Sequence, residues 1–174
     1  IDQSSRDSAC NGNSNGDGHT DRNAHLKCRD RRLDPRRAWA GNLAFDTDGN
    51  LYFGITAGEV RRLSSDRTAE TGLTIEDTEQ VATLPGAIGV EIGPDNTVYV
   101  AVATQDDNAG VWAAPPGGEA SQLVSISGFP NDILFDADRD RMLVTESSSG
   151  VVYSVDTDGT RETWLDDDRL APQG

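Results

Sequence analysis

From residue 41 onward, short apolar runs alternate with turns rich in Asp, Asn and Gly. The segment NLAFDTDGNLYF at 42–53 lines up with GVEIGPDNTVYV at 89–100, and DILFDADRDRMLV at 132–144 is a third copy with one extra residue in its turn. The copies recur about every 43–47 residues, with Phe45, Ile92 and either Phe135 or Leu134 at matching positions. These β-branched and aromatic runs predict strands, and no helical apolar period competes with them.

Each copy predicts four short strands. The first begins the repeat, a turn of Asp, Asn and Gly leads into the second, a glycine precedes the third, and the fourth closes the unit; the predicted strands are 43–45, 51–55, 60–63 and 80–84, then 90–92, 98–102, 111–114 and 121–126, then 133–135, 142–145, 151–155 and 160–165. A repeat of this length with four strands is typical of a propeller blade.

We therefore predict an all-β chain that forms about three four-stranded blades of a β-propeller, over residues 39–85, 86–127 and 128–170. The complete ring is expected to have six blades. Three blades form an open arc, whose first and last blades each expose a face that a neighbour would cover. We expect a fragment of a propeller, with self-association of two arcs through these open blade faces as the alternative.

Residues 1–37 differ from the remainder, 38–174, in charge and in hydrophobic pattern. They hold 8 basic and 6 acidic residues, a net charge of +2, whereas the rest of the chain has a net charge of −17. Gly, Asn, Asp and Ser dominate the segment, which has too few apolar residues to offset its conformational entropy. We predict a disordered or linker segment, and a segment not native to the domain is the alternative.

One motif within this segment follows the spacing of a calcium loop. Asn13, Asn15, Asp17 and Asp21 fall at loop positions 1, 3, 5 and 9, with Gly18 at the sharp turn. Position 12, which ordinarily supplies a bidentate Glu, is an alanine here. The motif is a candidate calcium site, and a flexible segment rich in Gly and Asn is the competing interpretation.

The overall charge narrows the classes of partner. A formal charge of −15 disfavours nucleic acid and anionic membranes, and no apolar run is long enough to cross a bilayer. Lys27 is the only lysine, and an acidic, lysine-poor surface suits a high-salt cytoplasm in which salt screens self-repulsion. We therefore expect a halophilic source, with an ordinary acidic protein as the alternative.

The predicted propeller lacks the residues that several kinds of catalysis require. His19 and His25 are the only histidines and Cys10 and Cys28 the only cysteines, so all four lie in the first 37 residues. A histidine general base, a thiol nucleophile and a Cys/His zinc site are therefore excluded from residues 38–174.

Other conspicuous side chains of the repeats are expected to be structural or solvated. The tryptophans are expected to pack the blades: Trp39, Trp112 and Trp164. Arg61 and Arg62 form a short basic pair on a strand, for which we expect a solvated position.

The third repeat carries a family resemblance. Residues FPNDILFD at 129–136, followed by LVTES at 143–147 and VYSVDTDG at 152–159, resemble the senescence-marker-protein/gluconolactonase family, and more loosely the strictosidine-synthase-like and NHL propellers. The resemblance covers about residues 39–170. It implies a metal-dependent hydrolase of lactones or esters, in which a divalent cation, most often calcium, polarises the carbonyl.

The resemblance assigns two site residues and leaves two positions unfilled. Asn131 matches a position that bears a metal ligand or a substrate contact, and Asp132 beside it is a second candidate for substrate binding; a turn-capping role for Asn131 is the alternative. Gly41 stands where a ligand Glu is expected, and Ile88 where a polar residue is expected. A non-catalytic, NHL-type propeller that binds a protein or a carbohydrate, without a metal, therefore remains open.

Overall fold

The repeated apolar segments pair edge to edge into three antiparallel sheets, each built from one repeat. The computed structural model describes residues 40–172. The first sheet contains β1 (Ala40–Phe45), β2 (Leu51–Ile55), β3 (Glu59–Leu63) and β4 (Glu79–Thr83). The second contains β5 (Ala87–Ile92), β6 (Val98–Val102), β7 (Gly110–Ala114) and β8 (Ser121–Ser125). The third contains β9 (Pro130–Asp136), β10 (Arg141–Glu146), β11 (Val151–Asp156) and β12 (Arg161–Asp166).

Within each sheet the strands lie side by side in chain order, as in a propeller blade. The prediction of an all-β chain with three four-stranded blades is confirmed. All twelve predicted strands are present, and their bounds differ from the predicted ones by no more than a few residues, mostly at the ends where each chain segment enters its sheet.

Strand register settles which residue of the third blade matches Phe45 and Ile92. Phe45 pairs with Leu51 and Ile92 pairs with Val98, each at the start of the second strand of its blade. In the third blade, Phe135 pairs with Met142 in the same way. The extra residue of the third repeat is therefore accommodated in the turn, and the three first strands are equivalent along their whole length.

The turns between first and second strands use the residues that the repeat predicts. Gly49, Asn96 and Asp140 occupy equivalent places with φ values of +82°, +62° and +50°, where Gly, Asn and Asp are tolerated best. In the first turn, the Asp46 carboxylate accepts hydrogen bonds from the backbone N–H of Asp48 at 3.0 Å and of Asn50 at 2.8 Å. Asp in these turns is thus a structural acceptor as well as a surface charge.

The hydrophobic core lies between blades. Ala44, Tyr52 and Val60 of the first blade pack against residues of the second blade that include Val90 and Val100. A second cluster joins the second and third blades; its buried members are Tyr99, Ala101, Val111, Ile126, Ile133, Met142, Val144 and Val155. Because each blade contributes one face to each junction, stability depends on neighbouring blades more than on any single sheet.

The first blade carries a longer connection than the others between its last two strands. Residues 64–78 contain two 3-10 turns, Ser65–Arg67 and Ile75–Asp77. Arg61, predicted to be solvated, is largely enclosed: its guanidinium donates to the Ile75 carbonyl at 3.0 Å and to the Thr78 hydroxyl at 3.1 Å. The prediction for Arg61 is wrong because the insertion folds back onto the sheet and its carbonyl replaces water.

The predicted packing role of the tryptophans holds for one of the two that the structure describes. Trp112 packs against the first core cluster, and its indole N–H donates to the Asn108 carbonyl at 2.8 Å. Trp164 is 51% exposed and lies against the Arg141 guanidinium, on a side of the third blade that no described residue covers. Within residues 40–172 there is no helix with the length and hydropathy of a membrane span.

Candidate functional site

The first strands of the three blades, β1, β5 and β9, lie next to one another along the inner edge of the arc. Glycine makes this approach possible. A Cβ on Gly41 would lie 1.8 Å from the Ile88 carbonyl oxygen, and a Cβ on Gly89 would lie 2.9 Å from the Asn131 carbonyl oxygen. The backbones of successive inner strands therefore touch at the end where these strands begin, and their polar side chains converge there.

Two candidate residues from different blades meet directly at this end. The side-chain amide of Asn42, on β1, donates a hydrogen bond to the carboxylate of Asp132, on β9. The same carboxylate oxygen accepts from the backbone N–H of Ile133 at 2.8 Å, and the Asp132 N–H donates to the Thr145 hydroxyl at 3.0 Å. The orientation of Asp132 is thus set by contacts on both sides, although its residue remains exposed.

The middle blade adds a second carboxylate. Glu91, on β5, is partly buried, and its burial raises its pKa. A hydrogen bond from the backbone of Ile92 opposes this shift, and the negative charge of Asp132 adds to it. The carboxylate of Asp132 therefore repels that of Glu91 in the adjacent blade. A cation bound between them would relieve this repulsion.

Asn131 is held through its nitrogen. Its side-chain amide nitrogen donates to the Ser147 hydroxyl at 3.2 Å, which ties the start of β9 to the residue after β10. This contact leaves the Asn131 amide oxygen as the atom that can serve as a ligand or acceptor. The structure places Asn131 next to Asp132 at the inner edge.

A buried glutamate joins the loop before β9 to the loop after β10. Glu146, 3% exposed, accepts from the N–H groups of Phe129 at 2.6 Å, Ser148 at 2.7 Å and Ser149 at 2.8 Å, and from the Ser149 hydroxyl. Burial raises the pKa of Glu146, but the Ser149 hydroxyl and these backbone donors outweigh it and lower the pKa to about 2. With its oxygens saturated by the protein, Glu146 positions the neighbouring loops.

One of the two unfilled positions, Gly41, has a structural reason. Any side chain at Gly41 would collide with the Ile88 backbone, so this fold has no room for a glutamate there. Within residues 40–172, no group of three or more His, Cys, Asp and Glu side chains is placed to hold a metal ion. The predicted calcium loop of Asn13, Asn15, Asp17 and Asp21 lies outside the described residues, as does the predicted boundary at residue 37.

Sequence reasoning identified Asn131 and Asp132 but overlooked Asn42, Glu91 and Glu146. A signal for Glu91 was present: it is the only charged residue among the three copies at its repeat position, which Ala44 and Leu134 occupy elsewhere. Position alone gives no sign that Asn42 and Asp132 meet, because 90 residues separate them.

A separate cleft of about 340 Å³ lies between the first and second blades, away from the inner edge. Its lining is polar and includes Asp46, Tyr52, Arg62, Glu79 and Asn96. Arg62 and Glu79 form an ion pair at 2.6 Å, and the Tyr52 hydroxyl donates to Asp46 at 3.1 Å. Both hydrogen-bond donors and hydrogen-bond acceptors therefore face the cleft.

Known proteins match this chain in structure, whereas no match is found by sequence. No family model and no curated protein matches the sequence. Among solved structures, a gluconolactonase from Xanthomonas campestris is 18% identical with a TM-score of 0.56, covering 71% of this chain and 46% of that one. Virginiamycin B lyase from Staphylococcus aureus is 16% identical with a TM-score of 0.54, covering 71% and 40%. A nidogen/laminin complex is 19% identical with a TM-score of 0.52, covering 63% and 41%.

These similarities define the class of protein as a β-propeller. At such identities they establish the fold alone, and the fold is of the kind found in the gluconolactonase. The chain spans less than half the length of each of these solved chains.

Proposed function

We propose that this chain forms part of a gluconolactonase-like propeller that hydrolyses a lactone or a related ester with the help of a divalent cation, with calcium as the expected ion. The observation that carries the proposal is the convergence of polar side chains from all three blades at one end of the inner edge. Asp132 and Glu91 supply carboxylates, and Asn131 supplies an amide oxygen. Carboxylate and amide oxygens are the donors that calcium prefers.

The donor set fits part of a cation shell. Calcium takes six to eight oxygen ligands, and the three blades bring fewer than that to the inner edge. Further ligands would come from blades beyond this arc. When bound, such a cation would polarise the ester carbonyl and lower the pKa of an attacking water. Asn131, Glu91 and Asp132 would hold it, and the hydrogen bond from Asn42 would fix the orientation of the Asp132 carboxylate.

The decisive experiment combines cation binding with hydrolysis. Titration calorimetry with calcium, and a pH-stat assay with five- and six-membered lactones, are run on the chain and on Asn131→Ala. We expect Asn131→Ala to weaken both by roughly 10–100-fold, the range found when metal-site support is removed. Asn108→Ala, which removes an amide from the β6–β7 connection, is the matched control and is expected to change neither.

A chain that binds no divalent cation and hydrolyses no lactone, in whichever assembly state it adopts, would contradict this function. The polar cleft between the first two blades would then favour the second candidate, a non-catalytic propeller that binds a carbohydrate or a protein segment there. Arg62→Ala opens the Arg62–Glu79 pair in that cleft and separates the two cases, since only ligand binding to the cleft should respond.

A further inference from the structure

Each blade has two different faces, and the junctions inside the arc always join one kind to the other. The leading face, toward the preceding blade, carries Val90 and Val100 in the second blade. The trailing face, toward the following blade, carries Tyr99 and Ala101 in the same blade. At the second junction, Tyr99 stacks on Phe135 of the third blade with ring centroids 5.9 Å apart. A trailing face thus packs on a leading face at both junctions.

The two ends of the arc expose one face of each kind. On the leading face of the first blade, Leu43 and Phe45 are 64% and 62% exposed. Strand register makes Leu43 equivalent to Val90 and Ile133, which are 1% and 3% exposed. Equivalent side chains are buried at the junctions inside the arc, whereas no other blade among residues 40–172 covers Leu43 and Phe45.

The trailing face of the third blade is equally uncovered by described residues. Leu134, equivalent to the buried Ala44 of the first blade, is 59% exposed. Trp164 and Leu165 on the outer strand of the same face are 51% and 43% exposed. These apolar side chains lie on the inner and the outer strand of one sheet face, and exposed apolar side chains spread over a face in this way indicate an interaction surface.

We propose that two copies of this chain close one six-bladed ring, with the trailing face of each third blade packed on the leading face of the partner's first blade. Both open faces of both copies are then covered by two identical junctions about a two-fold axis. A head-to-tail contact of this kind forms a ring when its rotation closes. The three blades within residues 40–172 cannot close a ring by themselves, because propellers have about four to eight blades.

The coverage of one solved propeller agrees with a count of two, whereas virginiamycin B lyase and the nidogen/laminin complex, covered to 40% and 41%, would need more than two such parts. The part of this chain that aligns with the Xanthomonas campestris gluconolactonase accounts for 46% of that chain. Two such parts therefore supply nearly the whole of one ring.

The long connection of the first blade restricts where the partner sits. Arg61 lies on the leading face and is bound by the carbonyl of Ile75 from residues 64–78, so the chain itself occupies the outer part of that face. Leu43 and Phe45, on the inner strand, stay open. The partner's Leu134 is also on an inner strand, so the contact is expected to centre on the channel side of the ring.

Ring closure would also complete the polar inner edge. Each copy contributes Asn42, Glu91, Asn131 and Asp132 to one side of the channel, and a two-fold ring brings a second set to the other. The assembly does not rest on the proposed hydrolase function. A ring that binds no cation would refute the function and leave the assembly intact. Cation binding by a single arc would support the function and refute the assembly.

The test is the solution mass by light scattering with size exclusion in molar KCl, which screens the charge of −15 per chain. We expect about 37 kDa, twice the 18.6 kDa of the chain. Phe45→Glu and Leu134→Lys each place a charge in both junctions and should shift the mass to that of one chain. Ser121→Lys, on an outer strand of the middle blade, is the control and should remain a dimer.

Mixing the two variants distinguishes the closed ring from other dimers. A mixed pair brings the new carboxylate at position 45 of one copy near the new ammonium group at position 134 of the other in one junction. The second junction of that pair is unaltered, so the dimer mass should return. Circular dichroism and the melting temperature verify that each variant is folded. A single-chain mass for the unaltered protein, a ladder of larger species, or a dimer that only one of the two variants disrupts would overturn the proposal.

Discussion

Asn42 in the first blade donates a hydrogen bond to Asp132 in the third, past the backbone of Gly89 in the blade between them. The contact is possible because glycines at 41 and 89 let the three inner strands touch. It couples the two ends of the arc and orients the carboxylate that faces the inner edge. The candidate site and the packing of the blades therefore depend on the same glycines.

Substitution at Gly41 tests this dependence. Gly41→Ala is expected to destabilise the protein by about 3 kcal/mol or more, because its Cβ would meet the Ile88 carbonyl and the inner strands would have to separate. The free energy of urea unfolding measures the effect. Gly117→Ala is the control: no atom lies within 4 Å of its Cβ position, and its φ of +68° carries a cost of only about 1–2 kcal/mol. Equal losses would show that the close approach is not what Gly41 provides.

The charge of Asp132 is expected to influence Glu91. Burial and Asp132 both raise the pKa of Glu91, so Asp132→Asn should lower that pKa while leaving it above the ordinary value. Carboxyl-carbon NMR titration of Glu91 measures the change. Asp107→Asn removes the same charge from the exposed β6–β7 connection and should leave the pKa of Glu91 unchanged. An unchanged pKa of Glu91 in Asp132→Asn would show that the two carboxylates do not interact.

Glu146 is expected to be a major structural carboxylate. Glu146→Gln should cost roughly 2–3 kcal/mol of unfolding free energy, because hydrogen bonds to a charged acceptor contribute about 1.5–3 kcal/mol and an amide nitrogen would face backbone donors. Urea unfolding at neutral pH provides the measurement. Glu119→Gln, at an exposed position, is the control and should stay within about 0.5 kcal/mol of the parent protein.

Glu146 is also expected to make the free energy of unfolding depend on pH. The folded-state pKa of Glu146 is lowered from its ordinary 4.5 to about 2, so its stabilisation is complete above pH 4.5 and is lost as the pH falls toward 2. The unfolding free energy should therefore decline over this window, and less steeply in Glu146→Gln. Parallel pH profiles for the two proteins would contradict the assignment.

Salt is expected to stabilise the fold. Residues 38–174 have a net charge of −17, and screening of this self-repulsion should raise the melting temperature between dilute buffer and molar KCl. Sucrose at the same osmolality separates screening from solvent exclusion. Equal melting temperatures in both buffers would count against a halophilic protein.

Much of the blade architecture was accessible from the linear pattern. Phe45, Ile92 and Phe135 recur at one period, and the turns after them contain the Asp, Asn and Gly that φ values of +50° to +82° require. Arg61 was assigned wrongly because its acceptor, the Ile75 carbonyl, comes from an insertion whose path no periodicity describes. Glu146 was missed as an anchor because its backbone donors belong to two different loops.

The sequence by itself determined the strands, their order within each blade and the number of blades, because these depend on alternation and turn chemistry within about 45 residues. It also predicted Asn131 and Asp132 as site residues, which stays a prediction. Only the tertiary structure decided that Asn42 and Glu91 join them, that Gly41 has no room for a side chain, and that Leu43 and Leu134 stand uncovered at opposite ends of the arc. These facts arise from contacts between blades, and a contact between residues far apart in the chain leaves no periodic trace in it.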